Sequence, residues 1–305
     1  MIYALLMLPI LLPQDTDQTH EKLLKHTYAE LEKTQQEDGR WIAPKETPES
    51  LGDRGMTALA MFVLTAAGNT HRHGGLQDRM KKGLGFLLEA PDEDGAPRSD
   101  ADRAFEAMIM AELYAVTRDF TIKRPALLAM QNLLKRQKED GGFGKGILET
   151  CLASMAMESC RNAEFPVELG KSKERVLEYL TGMIGPGGLR FTEKIEPMHP
   201  LGAAAAVYLG RRYAFPYEND NSLREDALQK FLKDQMTHVT YPAEDPRGAY
   251  FIGYGLMFIQ SKGAFDAFAS AQDEWIAKGK RSPDLAGRLY EALAMQVRDR
   301  HKLNR

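Results

Sequence analysis

The ionisable residues that could do chemistry gather at the starts of the chain's most apolar stretches. Asp53 and Arg54 open one, Asp100, Asp102 and Arg103 the next, and Glu149, His199 and the pair Asp284 and Arg288 open three others. Tyr250 and Tyr254, with Phe251 and Tyr290, add aromatic faces near two such starts. Paired carboxylates suit acid–base work on a glycosidic bond, one donating a proton while the other acts as base or nucleophile. Asp53, Asp102 and Glu149 are the acids that could pair. Asp102, with Asp100 beside it, is the candidate catalytic acid, and the other polar and aromatic groups are candidate binding residues. Arg103 works against acid chemistry at Asp102, because an adjacent guanidinium favours the charged carboxylate and lowers its pKa. Capping accounts for the same acids, since a carboxylate in a first turn complements the helix dipole.

Helical hairpins must position these groups. Pro125 to Arg136 carries an apolar stripe at helical spacing with cations in its last turn, then Gln137-Lys138-Glu139-Asp140-Gly141-Gly142-Phe143-Gly144 reverses the chain. Leu148 to Met157 follows and is small and apolar on nearly every side. A striped helix has a wet face and an all-round apolar one is buried, so each unit reads as an outer helix, a glycine turn and an inner helix. Gly39, Gly95, Gly141 and Gly187 each follow a striped helix, at separations of 56, 46 and 46 residues. Such periods signal stacked two-helix units that cannot bury their apolar faces alone. Outer helices are expected to begin near Thr19, Leu76, Ile122, Lys171, Ser222 and Ala264, and inner ones near Leu51, Ser99, Ile147, Met198, Gly248 and Ser282. Six hairpins with the more apolar helices inside favour a closed ring: an all-α, (α/α)6 toroid.

Composition narrows the partners. Hydrophobic residues make up 43% of the 305, enough for a sizeable core, and a net charge of -3 arises from acids and bases mixed along the chain. No basic run with interleaved aromatics appears, which argues against nucleic acid. Cys151 and Cys160 fall in one inner helix, about 13 Å apart along its axis, too far for a disulfide. They read as buried structural thiols. His71 and His73 share a glycine-rich loop without further ligands nearby, so no metal site is expected, and no cofactor is implied. Residues 1–15 read as a signal peptide or apolar N-terminal segment and 16–305 as a single toroid domain. Met1 to Leu12 is too short for a normal transmembrane helix, so the reading is export to the periplasm or beyond, with a cytoplasmic location if the segment is instead a strap on the domain.

Gln35-x-x-x-Gly39-x-Trp41 and Gln137-x-x-x-Gly141-x-Phe143 resemble the QW repeats of the terpenoid cyclase and protein prenyltransferase superfamily, squalene-cyclase-like α/α toroids. The resemblance implies six outer and six inner helices around a cavity, with each Gln capping a neighbouring helix end and each aromatic packed over it. It also implies a test for the chemistry. Class II cyclases protonate a double bond from an Asp-x-Asp-Asp motif, and Asp100-Ala101-Asp102-Arg103 matches at Asp102 but departs at Arg103. No Asp-x-Cys pair exists to build the zinc site of the prenyltransferases. The leading expectation is therefore a cyclase-like toroid that has lost the cyclase acid and binds a small molecule, isoprenoid or sugar, or a protein through its cavity. The alternative is an active enzyme, either a terpenoid-type cyclase using Asp102 or a polysaccharide lyase or glycosidase using paired carboxylates.

Overall fold

A computed structural model describes residues 18–45, 51–89, 98–185, 188–189, 199–214, 230, 234, 245–259 and 262–303. Eleven helices are described: α1 (Gln18–Thr34), α2 (Asp53–Ala66), α3 (Gln77–Glu89), α4 (Asp100–Thr117), α5 (Phe120–Leu134), α6 (Ile147–Asn162), α7 (Gly170–Gly182), α8 (Pro200–Ala214), α9 (Pro246–Ile259), α10 (Lys262–Ala277) and α11 (Leu285–Leu303). Their starts lie within about a turn of those expected from the sequence. The apolar segment Met1 to Leu12, the outer helix expected near Ser222 and the turn around Gln235 lie outside the described residues.

Burial sorts the helices into two layers. In α2 every residue from Gly55 to Ala66 is buried, and α4 and α6 are buried along most of their length. The outer helices bury one stripe each: Met80, Gly83, Leu84 and Leu87 of α3, and Ile122, Ala126, Met130 and Leu133 of α5. That three-to-four spacing is what one apolar face of a helix requires. The inner helices touch in sequence, α2 on α4, α4 on α6, α6 on α8, α8 on α9 and α9 on α11, and α11 packs back onto α2. The ring is closed, and the fold is an (α/α)6 toroid. Small residues allow the close approach: a Cβ on Gly210 of α8 would sit 2.6 Å from Leu180 and 3.3 Å from the Cα of Cys151.

The two glycine turns share one construction. Gln35 Nε2 donates to the carbonyls of Gly39 at 2.8 Å and Arg79 at 2.9 Å, and Gln137 Nε2 to those of Gly141 and Ser172, both at 3.0 Å. Arg79 and Ser172 lie in the first turns of the next outer helices, so each Gln joins its own turn to the following hairpin. Trp41 and Phe143 are fully buried, and their amides each donate at 2.9 Å to a threonine on the inner helix, Thr57 and Thr150. Gly39 (φ 92°) and Gly141 (φ 90°) are left-handed, and a Cβ would strike the carbonyl oxygens of Lys82 and Arg175 at 2.1 and 2.2 Å. Only glycine fits. The later turn is built differently, with β1 (Ile184–Gly185) pairing antiparallel to β2 (Gly188–Leu189).

Candidate functional site

All six inner helices start on one face of the ring, so their first turns form a rim. Ser99 and Asp102 make a capping box at the start of α4: Asp102 N donates to Ser99 Oγ at 3.0 Å and Ser99 N to Asp102 Oδ2 at 3.2 Å. The other carboxylate oxygen, Oδ1, accepts 2.9 Å from Gly52 N, immediately before α2. A Cβ on Gly55 would lie 1.8 Å from that oxygen, so Asp102 is wedged between two inner helices. Asp100 is shared likewise, accepting 2.7 Å from Gly144 N before α6 and 3.2 Å from Arg136. Glu149 accepts from Lys145 N and Gly146 N at 3.0 and 3.1 Å.

The rest of the rim follows the same rule. Asp53 accepts from Ala43 N at 2.9 Å and Arg40 at 3.1 Å. Asp284 caps α11 through Gly287 N at 2.7 Å. His199, exposed, donates its main-chain N–H to Asp245 Oδ2 at 2.7 Å, while its Nδ1 accepts from Leu201 N at 3.3 Å. Asp245 was not singled out in the sequence. It stitches α8 to α9 and also accepts from Gly248 N at 3.0 Å, a role its place before Pro246 could have signalled. Glu106 was missed too. It holds Arg54 and Arg98, and Arg54 runs outward to the carbonyls of Phe86 and Leu87.

Three expectations need correction. Arg103 was expected to lower the pKa of Asp102; its Nη1 donates to the carbonyl of Arg98 at 2.6 Å, and Asp102 has Gly52 and Ser99 as its hydrogen-bond partners. Burial raises the Asp102 pKa, against the pull of the Gly52 and Ser99 hydrogen bonds and the nearby Arg98 charge. Tyr250 and Tyr254 are not at a cavity mouth. They stack at 5.7 Å inside the ring, Tyr250 also meets Tyr290 at 6.1 Å, and Tyr213 donates its hydroxyl to that of Tyr254 at 2.6 Å. With Phe62 and Leu293 they line a small cavity of about 20 Å³ between α2, α9 and α11. That is room for roughly one water. Arg288 leaves the rim for α1, where it holds Glu30.

Electrostatically the rim is a set of acids already engaged. Asp102, Asp100 and Glu149 are nearly inaccessible, whereas Asp53, Arg40, Arg136 and His199 keep exposed atoms. Among the described residues no cluster of three or more His, Cys, Asp or Glu could hold a metal. Cys151 and Cys160 are free and buried, their thiol pKa values pushed far up by desolvation. No described helix is long and apolar enough to cross a membrane.

No protein-family model and no curated protein sequence matches the chain. Among solved structures it is similar to an inactive variant of alpha-1,6-mannanase, GH76A of Salegentibacter sp. HEL1_6, in complex with alpha-1,6-mannotetrose. The TM-score is 0.60 at 11% identity, over 93% of this chain and 99% of that one. That variant carries alanine at two successive aspartates. This sequence contains no Asp-Asp pair anywhere. The likeness is one of fold: it supports the closed helical toroid and gives the terpenoid cyclase assignment no support.

Proposed function

We propose that this chain is a carbohydrate-recognising toroid whose ligand lies across the rim of inner-helix starts, and that it turns over glycosidic bonds weakly or not at all. The observation that carries the reading is the set of polar groups left accessible at the rim. Beneath them Phe62, Tyr250 and Tyr254 are buried and line a cavity of only about 20 Å³. What stays accessible is polar: Arg40 and Asp53 on one side, Arg136 beside Asp100 on the next, and His199 across the ring. Such donor and acceptor pairs suit hydroxyl-rich ligands, which a few placed polar groups can orient. The sugar bound by the similar mannanase points to the same ligand class.

The acids argue against efficient hydrolysis. A glycosidase needs one carboxyl free to give a proton and a second facing the sugar. Here Asp102 spends both oxygens on main-chain N–H groups, and Glu149 is folded back on its own helix start. A second reading, an active glycosidase, is favoured by the neighbour's activity, and Asp53, with a third of its side chain exposed, is an acid that could serve it. Titration calorimetry with alpha-1,6-mannooligosaccharides, alongside a reducing-end assay on the same sugars, separates the readings. Binding that weakens in Arg40→Ala without release of reducing ends is the expected result. Release that disappears in Asp53→Asn would establish the glycosidase, and saturable binding of squalene but of no sugar would overturn both.

A further inference from the structure

The three large apolar residues most exposed among those described are Phe120 at 75%, Ile42 at 51% and Leu128 at 40%. Two of them share α5. Phe120, Arg124 and Leu128 recur every four residues and so lie on one face, turned away from the buried stripe of Ile122, Ala126 and Met130. Beside that face a groove of about 230 Å³ runs between α3 and α5, with Leu87, Leu88, Met110, Leu128 and Ala129 as walls and Arg124 at its lip. Glu106 on its floor is already neutralised by Arg54 and Arg98.

We propose that this groove docks an acidic amphipathic segment of a partner protein, its apolar side chains filling the groove and a carboxylate meeting Arg124. Charge selects the occupant. The sequence of α5, Phe120 to Leu134, holds Lys123 and Arg124 and not one acid, and Arg124 has no ion-pair partner among the described residues. A second copy apposing the same face by two-fold symmetry would set cations against cations. A concave groove with apolar walls and one charged lip is the form that receives an amphipathic helix, read through anchors about one turn apart. The site is on the outer wall, apart from the rim, and does not depend on the carbohydrate reading.

The test is to pan a displayed random-peptide library on the wild-type protein with counter-selection on Leu128→Lys, then to measure the enriched peptides by fluorescence anisotropy. Both substitutions used are at exposed positions, and circular dichroism and thermal melts check that the fold is kept. Enriched peptides should carry two large apolar residues about a turn apart with a nearby Asp or Glu. Their affinity should fall at least about tenfold in Arg124→Glu, and a peptide with its acid changed to Lys should regain affinity for that variant. No enrichment over the counter-selection, or affinity indifferent to Arg124→Glu, overturns the proposal. So does a dimer seen by sedimentation velocity and lost in Leu128→Lys, which would assign the face to a second copy. Flotation with anionic vesicles that depends on Phe120 and Arg124 would overturn it in favour of a membrane surface.

Discussion

Arg288 and Glu30, 258 positions apart, form a two-pronged ion pair at 3.0 and 2.6 Å that joins the last helix of the ring to the first. The same seam carries Arg281 on Thr27 at 2.8 Å and Gln296 on both Tyr28 and the carbonyl of Val63. Successive hairpins elsewhere share polar contacts with main-chain groups, as Asp102 does with Gly52 N; here the first and last described helices meet through paired side chains. Arg288 also donates to the carbonyls of Ser282 and Pro283, so it serves the local turn as well as the seam.

Removing one partner should therefore loosen the ring at its closure. Glu30→Gln leaves a mostly buried guanidinium short of its counter-charge, an expected loss of about 1–3 kcal/mol. Urea unfolding would measure it. A double-mutant cycle with Arg288→Met should show coupling between the two sites. Strictly additive losses would mean that the seam is held by its apolar contacts alone.

The glycine turns give a second pair of expectations. Gln137→Ala orphans the carbonyls of Gly141 and Ser172, for an expected loss of about 1–3 kcal/mol. Gly141→Ala should be worse, because its left-handed φ of 90° and the Arg175 carbonyl 2.2 Å from a built Cβ both oppose a side chain. Thermal melts that rank the two variants the other way would show that the amide, not the backbone, governs the joint.

On the opposite face of the ring, His71 is a buried base held against an acid. Its Nε2 lies 3.0 Å from Asp119 Oδ2, Arg72 reaches the same carboxylate at 3.0 Å, and its Nδ1 is buried with no hydrogen-bond partner. Burial lowers its pKa below 6.5, outweighing the pull of Asp119, while Arg72 and Lys81 push the same way as burial. A base with a lowered folded pKa stabilises the fold fully above its unfolded value and less as the pH falls below it. Stability should thus drop as the pH falls below 6.5, and His71→Gln should flatten that slope. Asp102 and Glu291, both raised by burial, act with the opposite sign, their contributions being lost as pH rises through their folded pKa values. The comparison that decides is the melting temperature against pH for wild type and His71→Gln; parallel curves would clear His71.

Much of this architecture was legible, because its signals are local. Gln35 and Gln137 sit four residues before a glycine and six before an aromatic, and striped and all-round apolar helices differ within a single turn. The candidate site was harder to read. Ser99 with Asp102 three residues on spells a capping box in the sequence, but the Gly52 amide that takes the second oxygen comes from another hairpin. Nothing local says which hairpin that is. Arg103 misled for a related reason: adjacent residues on a helix point to different sides, so neighbouring in sequence did not make it the partner of Asp102. Tyr250 and Tyr254 were placed at a mouth because they follow a helix start closely. The width of the ring, which decides whether such rings line a void or fill one, is set by six helices together.

That width governs the last prediction. Phe62, Tyr250 and Tyr254 come from α2 and α9, the two inner helices that flank α11, and with it enclose about 20 Å³. An apolar void stays dry and can take an apolar guest, so a shortened side chain should convert packing into binding. Phe62→Ala is expected to lose about 3–5 kcal/mol of stability and to gain saturable binding of a benzene-sized probe, seen as a rise in melting temperature with the probe present. The wild type should show no such rise. It should also yield no cyclic product from squalene or geranylgeranyl diphosphate, with or without Asp102→Asn, because that acid faces Gly52 and Gly55 and not the cavity. Gas chromatography–mass spectrometry would read the products. A cyclic hydrocarbon from wild type that vanishes in Asp102→Asn would mean that the interior opens far enough to admit a polyene and would return Asp102 to the role of general acid.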